Sequence, residues 1–357
     1  MQPQGIINMP LAYPYSLVNS PNNWIWVGTA NISATGKSYL KAYDIKGVER
    51  FSKEFSPGTA SMSIPSISVT DSKVYISYNQ QGSFHRIYTL DLEGNILSQF
   101  TPGSSVHRVD VDRNGDIYIA RQSVGRTIEK KTASGSHLWT NSQWASLSND
   151  PIFALGLNTI YGASLGNTTV RKLNPDTGAQ VWSNTTGTSS QVRDIDVISV
   201  WEDGEVEEYV AVGTGPFGTD YRVVFFKGDD GTRLWSSPVQ NNWTYSVTSS
   251  NLGSDTTIIS AVRDVDNTRT VLRRHQLSNG AVIQGPTNIN IGSSWNKIHG
   301  LRDGGVIIVS GDSINGSVLV KVNKDFSIDW RVDNVVPTQI LCAAIQPGRW
   351  QTGIHLP

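Results

Sequence analysis

Cysteine is almost missing from this chain: Cys342 stands alone. One thiol can form neither an intrachain disulfide nor a cysteine-based metal site. Charge is scarce too. Asp, Glu, Lys and Arg make up 17% of the residues, where an average domain has ~25%. The signs cancel to a net charge of −1, so no basic field exists to hold phosphates. That argues against nucleic acid and anionic membrane as partners. No stretch approaches the ~18 apolar residues of a membrane-spanning helix. Residues 1–10 carry no Lys or Arg and no apolar run of signal-peptide length. The expectation is a soluble protein, made in a cytoplasm. Apolar residues at helical spacing are missing as well, and so are the G-x-S-x-G, H-E-x-x-H and Walker motifs.

Gly, Ser, Thr and Asn take up the space, and within them lies a repeat. Each copy is an alternating apolar strand, a tight turn, and a second strand. The copies run from Tyr39 to Phe51, Ile87 to Phe100, Thr127 to Trp139, Thr169 to Trp182, Arg222 to Trp235, Val271 to Gln284 and Val318 to Trp330. The turns carry Gly47, Gly94, Gly135, Gly178, Gly231 and Gly280, with Phe326 in the last copy. Four residues beyond each turn position stand Phe51, Ser98, Trp139, Trp182, Trp235, Gln284 and Trp330. Five of these seven are aromatic in a chain that is 9% aromatic, so chance is a poor account of them.

Turns such as Asp-Thr-Gly and Ser-Asn-Gly suit hairpins that need a positive φ at Gly. A large ring after each turn can wedge between neighbouring sheets, and its burial is worth roughly 2–3 kcal/mol. Two further strands precede each unit, clearest at Ile64–Tyr78, His107–Ala120 and Lys297–Ser310. Four strands per repeat is the blade of a propeller. The fold predicted is all-β: a seven-bladed β-propeller of four-stranded blades over residues 13–335, with an N-terminal arm at 1–12 and a closing strand and tail at 336–357. A pair of β-sandwiches is the rival, but a fixed four-strand period with a recurring aromatic argues against it.

The unit resembles the repeat of PQQ-like, or quinoprotein-type, β-propellers, in which Asp-x-x-Thr-Gly-x-x-x-Trp follows a strand. Asn174-Pro-Asp-Thr-Gly-Ala-Gln-Val-Trp182 and Gly228-Asp-Asp-Gly-Thr-Arg-Leu-Trp235 match best. The resemblance implies that the aromatics Phe51, Trp139, Trp182, Trp235 and Trp330 dock each blade on the next. It does not imply a cofactor. Quinone-dependent dehydrogenases look like eight-bladed versions with adjacent cysteines, which this chain lacks. No bound quinone or other cofactor is expected, and no enzyme activity.

Other motifs read as structural. Asp110-Val-Asp112-Arg-Asn114-Gly115-Asp116 copies the first half of a calcium loop, but Arg121 stands where an EF-hand needs Glu, so a blade turn is expected. His85, His107, His137, His275, His299 and His355 show no metal-ligand spacing. The acidic run Trp201–Glu208 reads as a solvated hairpin tip rather than a cation or docking site. Asn-x-Ser/Thr at Asn31, Asn167, Asn184, Asn242 and Asn315 is what so much Asn, Ser and Thr gives by chance. Asp110, Asp112, Asp194 and Asp196 fall on strands that could face the central channel, though nothing singles out a glycosidase-like pair. Seven tryptophans lie outside the repeat position: Trp24, Trp26, Trp144, Trp201, Trp243, Trp295 and Trp350.

The leading functional expectation is a structural scaffold that assembles with other protein subunits. Its low charge and Ser/Thr/Asn/Gly-rich composition resemble virion proteins of tailed bacteriophages, such as nozzle-type tail components. A glycan-binding propeller is the alternative, with Trp beside Asn, Asp and Arg as sugar platforms. A propeller hydrolase or lyase comes third. At the C-terminus, residues 338–345 are apolar enough for a strand that would compete with Tyr13–Val18 for the inner place in blade 1. Ile340, Leu341 and Trp350 are the candidate interface residues.

Overall fold

The computed structural model describes residues 13–333 except 20–23, 32–37, 56–61, 71, 81–83, 123–124, 145–149, 158, 203–204, 216–217, 241, 253–254, 264–268, 292–296, 302 and 313–315. The tail with Ile340, Leu341 and Trp350, and the arm before residue 13, lie outside the described residues.

The described residues form twenty-eight strands and no helix. Blade 1 is β1 (Tyr13–Asn19), β2 (Ile25–Asn31), β3 (Ser38–Tyr43) and β4 (Glu49–Phe55). Blade 2 is β5 (Met62–Val69), β6 (Lys73–Gln80), β7 (His85–Asp91) and β8 (Ile96–Phe100), and blade 3 is β9 (Val106–Val111), β10 (Ile117–Arg121), β11 (Ile128–Lys131) and β12 (His137–Asn141). Blade 4 is β13 (Pro151–Leu155), β14 (Ile160–Ser164), β15 (Thr169–Leu173) and β16 (Gln180–Thr185), and blade 5 is β17 (Val192–Glu202), β18 (Glu205–Thr214), β19 (Val223–Lys227) and β20 (Arg233–Ser236). Blade 6 is β21 (Thr244–Leu252), β22 (Asp255–Arg263), β23 (Thr270–Gln276) and β24 (Val282–Ile289), and blade 7 is β25 (Lys297–Gly300), β26 (Val306–Asp312), β27 (Gly316–Val322) and β28 (Ile328–Asp333).

Each blade is an antiparallel meander, and the seven together make the propeller that the repeat predicts. Blades 1 and 2 also share main-chain pairs, Ala30 with Ser63 and Asn31 with Met62. The first strands ring the axis, where β5 meets β9, β13 meets β17, β17 meets β21 and β21 meets β25. β1 holds the inner place of blade 1 through its pairing with β2, while residues 338–345, expected to compete for it, lie outside the described residues. All seven turn positions join the third strand of a blade to its fourth, so they lie on one face of the disc.

Apolar side chains alternate along the strands and fill the space between blades, not within two separate cores. One cluster pools Ile152, Tyr161 and Val170 of blade 4 with Val192, Ile195 and Val224 of blade 5. Another closes the ring, with Ile25, Val27 and Tyr43 of blade 1 against Ile307, Leu319 and Trp330 of blade 7. Sandwiches would bury their apolar faces separately, so this sharing of clusters is what excludes the rival fold.

Candidate functional site

Two sets of side chains join the blades, one at the rim and one at the axis. At the rim, each turn receives a group from the preceding blade. A Cβ placed on Gly178 would lie 2.5 Å from the Trp139 ring, so only glycine fits there. Its φ of 71° is also a left-handed conformation that glycine adopts freely. In the same way Gly231 meets Trp182, Gly280 meets Trp235, Gly94 meets Phe51, and Gly47 meets Trp330 across the closure. The indoles also bond. Trp139 Nε1 donates to Pro175 O at 2.9 Å, Trp182 to Gly228 O at 2.9 Å, Trp235 to Leu277 O at 2.7 Å and Trp330 to Ile45 O at 2.8 Å.

The two copies without an aromatic at that position solve the problem differently. Ser98 pairs with Thr89 where an aromatic is expected, and Phe100, two residues on, reaches Gly135. Blade 6 presents Gln284, whose Nε2 donates to Lys324 O at 3.0 Å. Phe326 holds the turn with φ 67°, and the Arg274 guanidinium lies 5.3 Å from its ring centroid. A second clamp, W-x-N, is not evident as a motif without the fold. Asn141 Nδ2 donates to Gly178 O at 2.8 Å and Asn184 Nδ2 to Gly231 O at 2.9 Å.

At the axis, inner strands such as β9, β21 and β25 turn amides toward the preceding blade. Buried amides need acceptors, and side chains supply them. Val109 N donates to Ser66 Oγ at 3.0 Å, and the Ser68 hydroxyl donates to Asp110 Oδ1 at 2.7 Å. Asp194 accepts the Ser246 hydroxyl at 2.6 Å and the Val247 amide at 3.1 Å. Asp196 accepts the Ser249 amide at 3.1 Å. Ser246 and Thr248 in turn accept the amides of Ile298 and Gly300 at 3.3 and 3.1 Å. Lys297 of blade 7 reaches past blade 6 to pair with Asp194. Arg108, buried beside the Phe153 ring at 5.4 Å, faces Asp110, Asp194 and Asp196. Burial first, and then the charge of Asp194, push the Asp196 carboxyl up to about 7. Burial likewise pushes His107 down to about 4 and His299 down to about 3, so both are neutral at pH 7.

The profile of a PQQ-like repeat family, described as Outer membrane protein assembly factor BamB, matches residues 83–318, well over half the chain. The chain belongs to this family. No curated protein sequence matches it. Among solved structures, Saccharomyces cerevisiae Sqt1 is 13% identical with a TM-score of 0.62, over 95% of this chain and 90% of that one. BamB from Moraxella catarrhalis is 13% identical with a TM-score of 0.55, over 95% and 92%. The computationally designed Ika8 protein is 14% identical with a TM-score of 0.61, over 92% and 90%. At such identities the likeness is one of fold alone.

The remaining sequence motifs of this PQQ-like propeller fall into place around that frame. The calcium-loop lookalike is the β9–β10 turn, where Asp112 caps the amides of Asn114 and Asp116 at 2.8 and 3.0 Å. A lysine ammonium sits where a cation would: Lys130 Nζ lies 3.4 Å from Asp112 and 3.1 Å from Asp116. Burial works against that charge, but hydrogen bonds to Tyr118 and Asp116 outweigh it and hold Lys130 above its ordinary value. Asp112 is therefore apart from the buried axial cluster in which Asp110, Asp194 and Asp196 surround Arg108. Among the described residues no three His, Cys, Asp or Glu gather as a metal site.

The acidic run is half structural. Glu208 is buried and accepts from the Leu157 amide, the Thr159 hydroxyl and Tyr161 Oη, tying blade 5 to blade 4. His275 Nε2 lies 2.9 Å from Ser260 Oγ, but neither has any exposed surface, so the pair cannot meet a substrate. Trp26 and Trp144 are core. Trp243 packs against Tyr245 and the Arg263 guanidinium. Asn167 caps the amides of Thr168 and Thr169.

Proposed function

We propose that this propeller is a protein-interaction scaffold without catalytic machinery. One observation carries the reading. In blades 2 to 6 the residue before the docking position is an exposed branched aliphatic: Leu97, Leu138, Val181, Leu234 and Ile283. Leu97 and Val181 are 54% and 55% exposed. They lie on β8, β12, β16, β20 and β24, the outermost strands, whose outer edges have no partner strand among the described residues. A repeated apolar rim is an interaction surface in the making. The best carboxylate pair for hydrolysis, Asp194 and Asp196, is already engaged by amides, hydroxyls and Lys297. The family's description as an assembly factor supports the same class.

Within that class, the low charge and the Ser/Thr/Asn/Gly-rich composition support a narrower reading: a virion component of a tailed bacteriophage, made in the cytoplasm of the infected cell. Tail genes beside this one would favour it, and their absence would remove it. The scaffold reading is tested by Leu138→Glu/Val181→Glu/Leu234→Glu in one chain. Cross-linking and mass spectrometry in the native host should recover protein partners of the wild type that the variant loses, with melting unchanged. Partners retained by the variant, or recovery of glycan alone, would overturn it.

A further inference from the structure

Strand β17 places Asp194 and Asp196 two residues apart on the inner rim of blade 5, both buried. They are not equivalent. Asp194 has the Lys297 ammonium. Asp196 has the amides of Ser249, at 3.1 Å, and of its own neighbour Val197, at 3.0 Å, and no ion pair among the described residues.

The surroundings offer it little else. From β9 come His107, Arg108 and Asp110, with His107 neutral and Arg108 shared among three carboxylates. From β25 come Lys297, spent on Asp194, and the neutral His299. β17 itself adds Arg193, whose charge bears on His107. The strand in direct contact, β21, contributes only Ser246, Val247, Thr248 and Ser249, and β13 contributes no charge at all. A second buried carboxylate beside an ion-paired one is held most cheaply as the acid. As the acid it still accepts the Ser249 amide and adds no second negative charge.

We propose that Asp194 and Asp196 form a proton-dependent clasp between the inner strands of blades 5 and 6: with Asp196 protonated β17 and β21 lie closed, and loss of that proton loosens this contact while the rest of the ring stays folded. Asp196 titrates near neutrality because burial and Asp194 raise it to about 7. When β21 draws away, water returns and the carboxyl reverts toward the ~3.9 of an unperturbed Asp. The closed state therefore binds the proton more tightly. Its advantage is complete below about pH 4, falls as pH rises, and is gone above about pH 7. The ordinary sense for a carboxylate is the reverse.

Hydrogen exchange tests this on the full chain. Amide exchange in the β21 segment, residues 244–252, is compared with that in β13, residues 151–155, from pH 5 to 8.5 after correction for intrinsic rates. The β21 rate should climb relative to β13 by up to about tenfold per pH unit, then level off above about pH 7. Asp196→Asn keeps an acceptor for the Ser249 amide and has no proton to lose, so its ratio should be flat. Asp194→Asn removes the neighbouring charge and should shift the wild-type midpoint down. A ratio independent of pH in the wild type, or an unchanged slope in Asp196→Asn, overturns the proposal. Should Asp196→Asn fail to fold, the wild-type profile and the Asp194→Asn midpoint still decide it.

Discussion

Between blades 4 and 5 an indole fills the gap: Trp182 lies on Gly231 and donates to Gly228 O at 2.9 Å. Between blades 6 and 7 the same place in the sheet holds Gln284, which donates to Lys324 O at 3.0 Å. There the ring has moved to the other side of the seam. Phe326 is 2% exposed and sits at the turn itself, in a left-handed conformation that costs a non-glycine residue about 1–2 kcal/mol. Arg274 completes the latch, donating to Gly304 O at 2.6 Å and to Lys324 O at 3.2 Å. What a seam requires is thus one ring, on either side, and, at six of the seven, a side-chain donor for a carbonyl of the facing turn, Lys53 supplying it to Gly94 O between blades 1 and 2. Where the fourth strand brings the ring the turn must be Gly; where the turn brings it, the strand can be polar.

This contrast can be broken or sharpened by substitution. Trp139→Ala should have the largest effect, about 3–5 kcal/mol in urea unfolding, because it empties a seam and removes the indole bond to Pro175 O. A loss well below that range would mean that the rings fill space without docking blades. Arg274→Met comes next. It leaves Gly304 O without its donor and should cost about 1–3 kcal/mol; no change in melting would show that the polar latch stabilises nothing. Gln284→Trp and Phe326→Gly should each destabilise alone, yet together rebuild an aromatic seam. A favourable coupling of about 0.5–3 kcal/mol in a double-mutant cycle is expected, and simple additivity would refute the one-ring rule. Gln284→Ala should cost least, about 0.5–1.5 kcal/mol, because its two hydrogen bonds, one given to Lys324 O and one accepted from Arg274 Nε, belong to a partly exposed side chain.

The seven turns and four indole docks were legible because a tight turn needs glycine and a ring needs burial, and both leave marks at fixed spacing. Phe100 was not, since a shift of two residues keeps the face of a strand but breaks a count from the glycine. Gln284 and Phe326 looked like failures of the repeat, although they compensate each other across a seam that local sequence does not contain. The axis was harder still. Asp110, Asp194 and Asp196 could be placed near the channel, yet Lys297 is 103 residues from Asp194, and nothing in either strand announces the other. Asp112 shows the opposite error: it shares a motif with Asp110 but, two residues on, has already left the strand for the turn.

Among the described residues each blade is one unbroken length of chain, and blades 7 and 1 share no strand. The joint holds through Trp330 on the first turn, its bond to Ile45 O, and apolar contacts of Ile25, Val27 and Tyr43 with blade 7. Main-chain bonding on the far side of blade 1 makes blades 1 and 2 a single stiff sheet. In mechanical terms the molecule is a split washer with one reinforced sector beside its gap. Among the described residues, hoop tension from anything pulling outward on the rim would be carried at that gap by side chains. Such a seam would part by sliding an indole off a glycine, before any sheet had to tear.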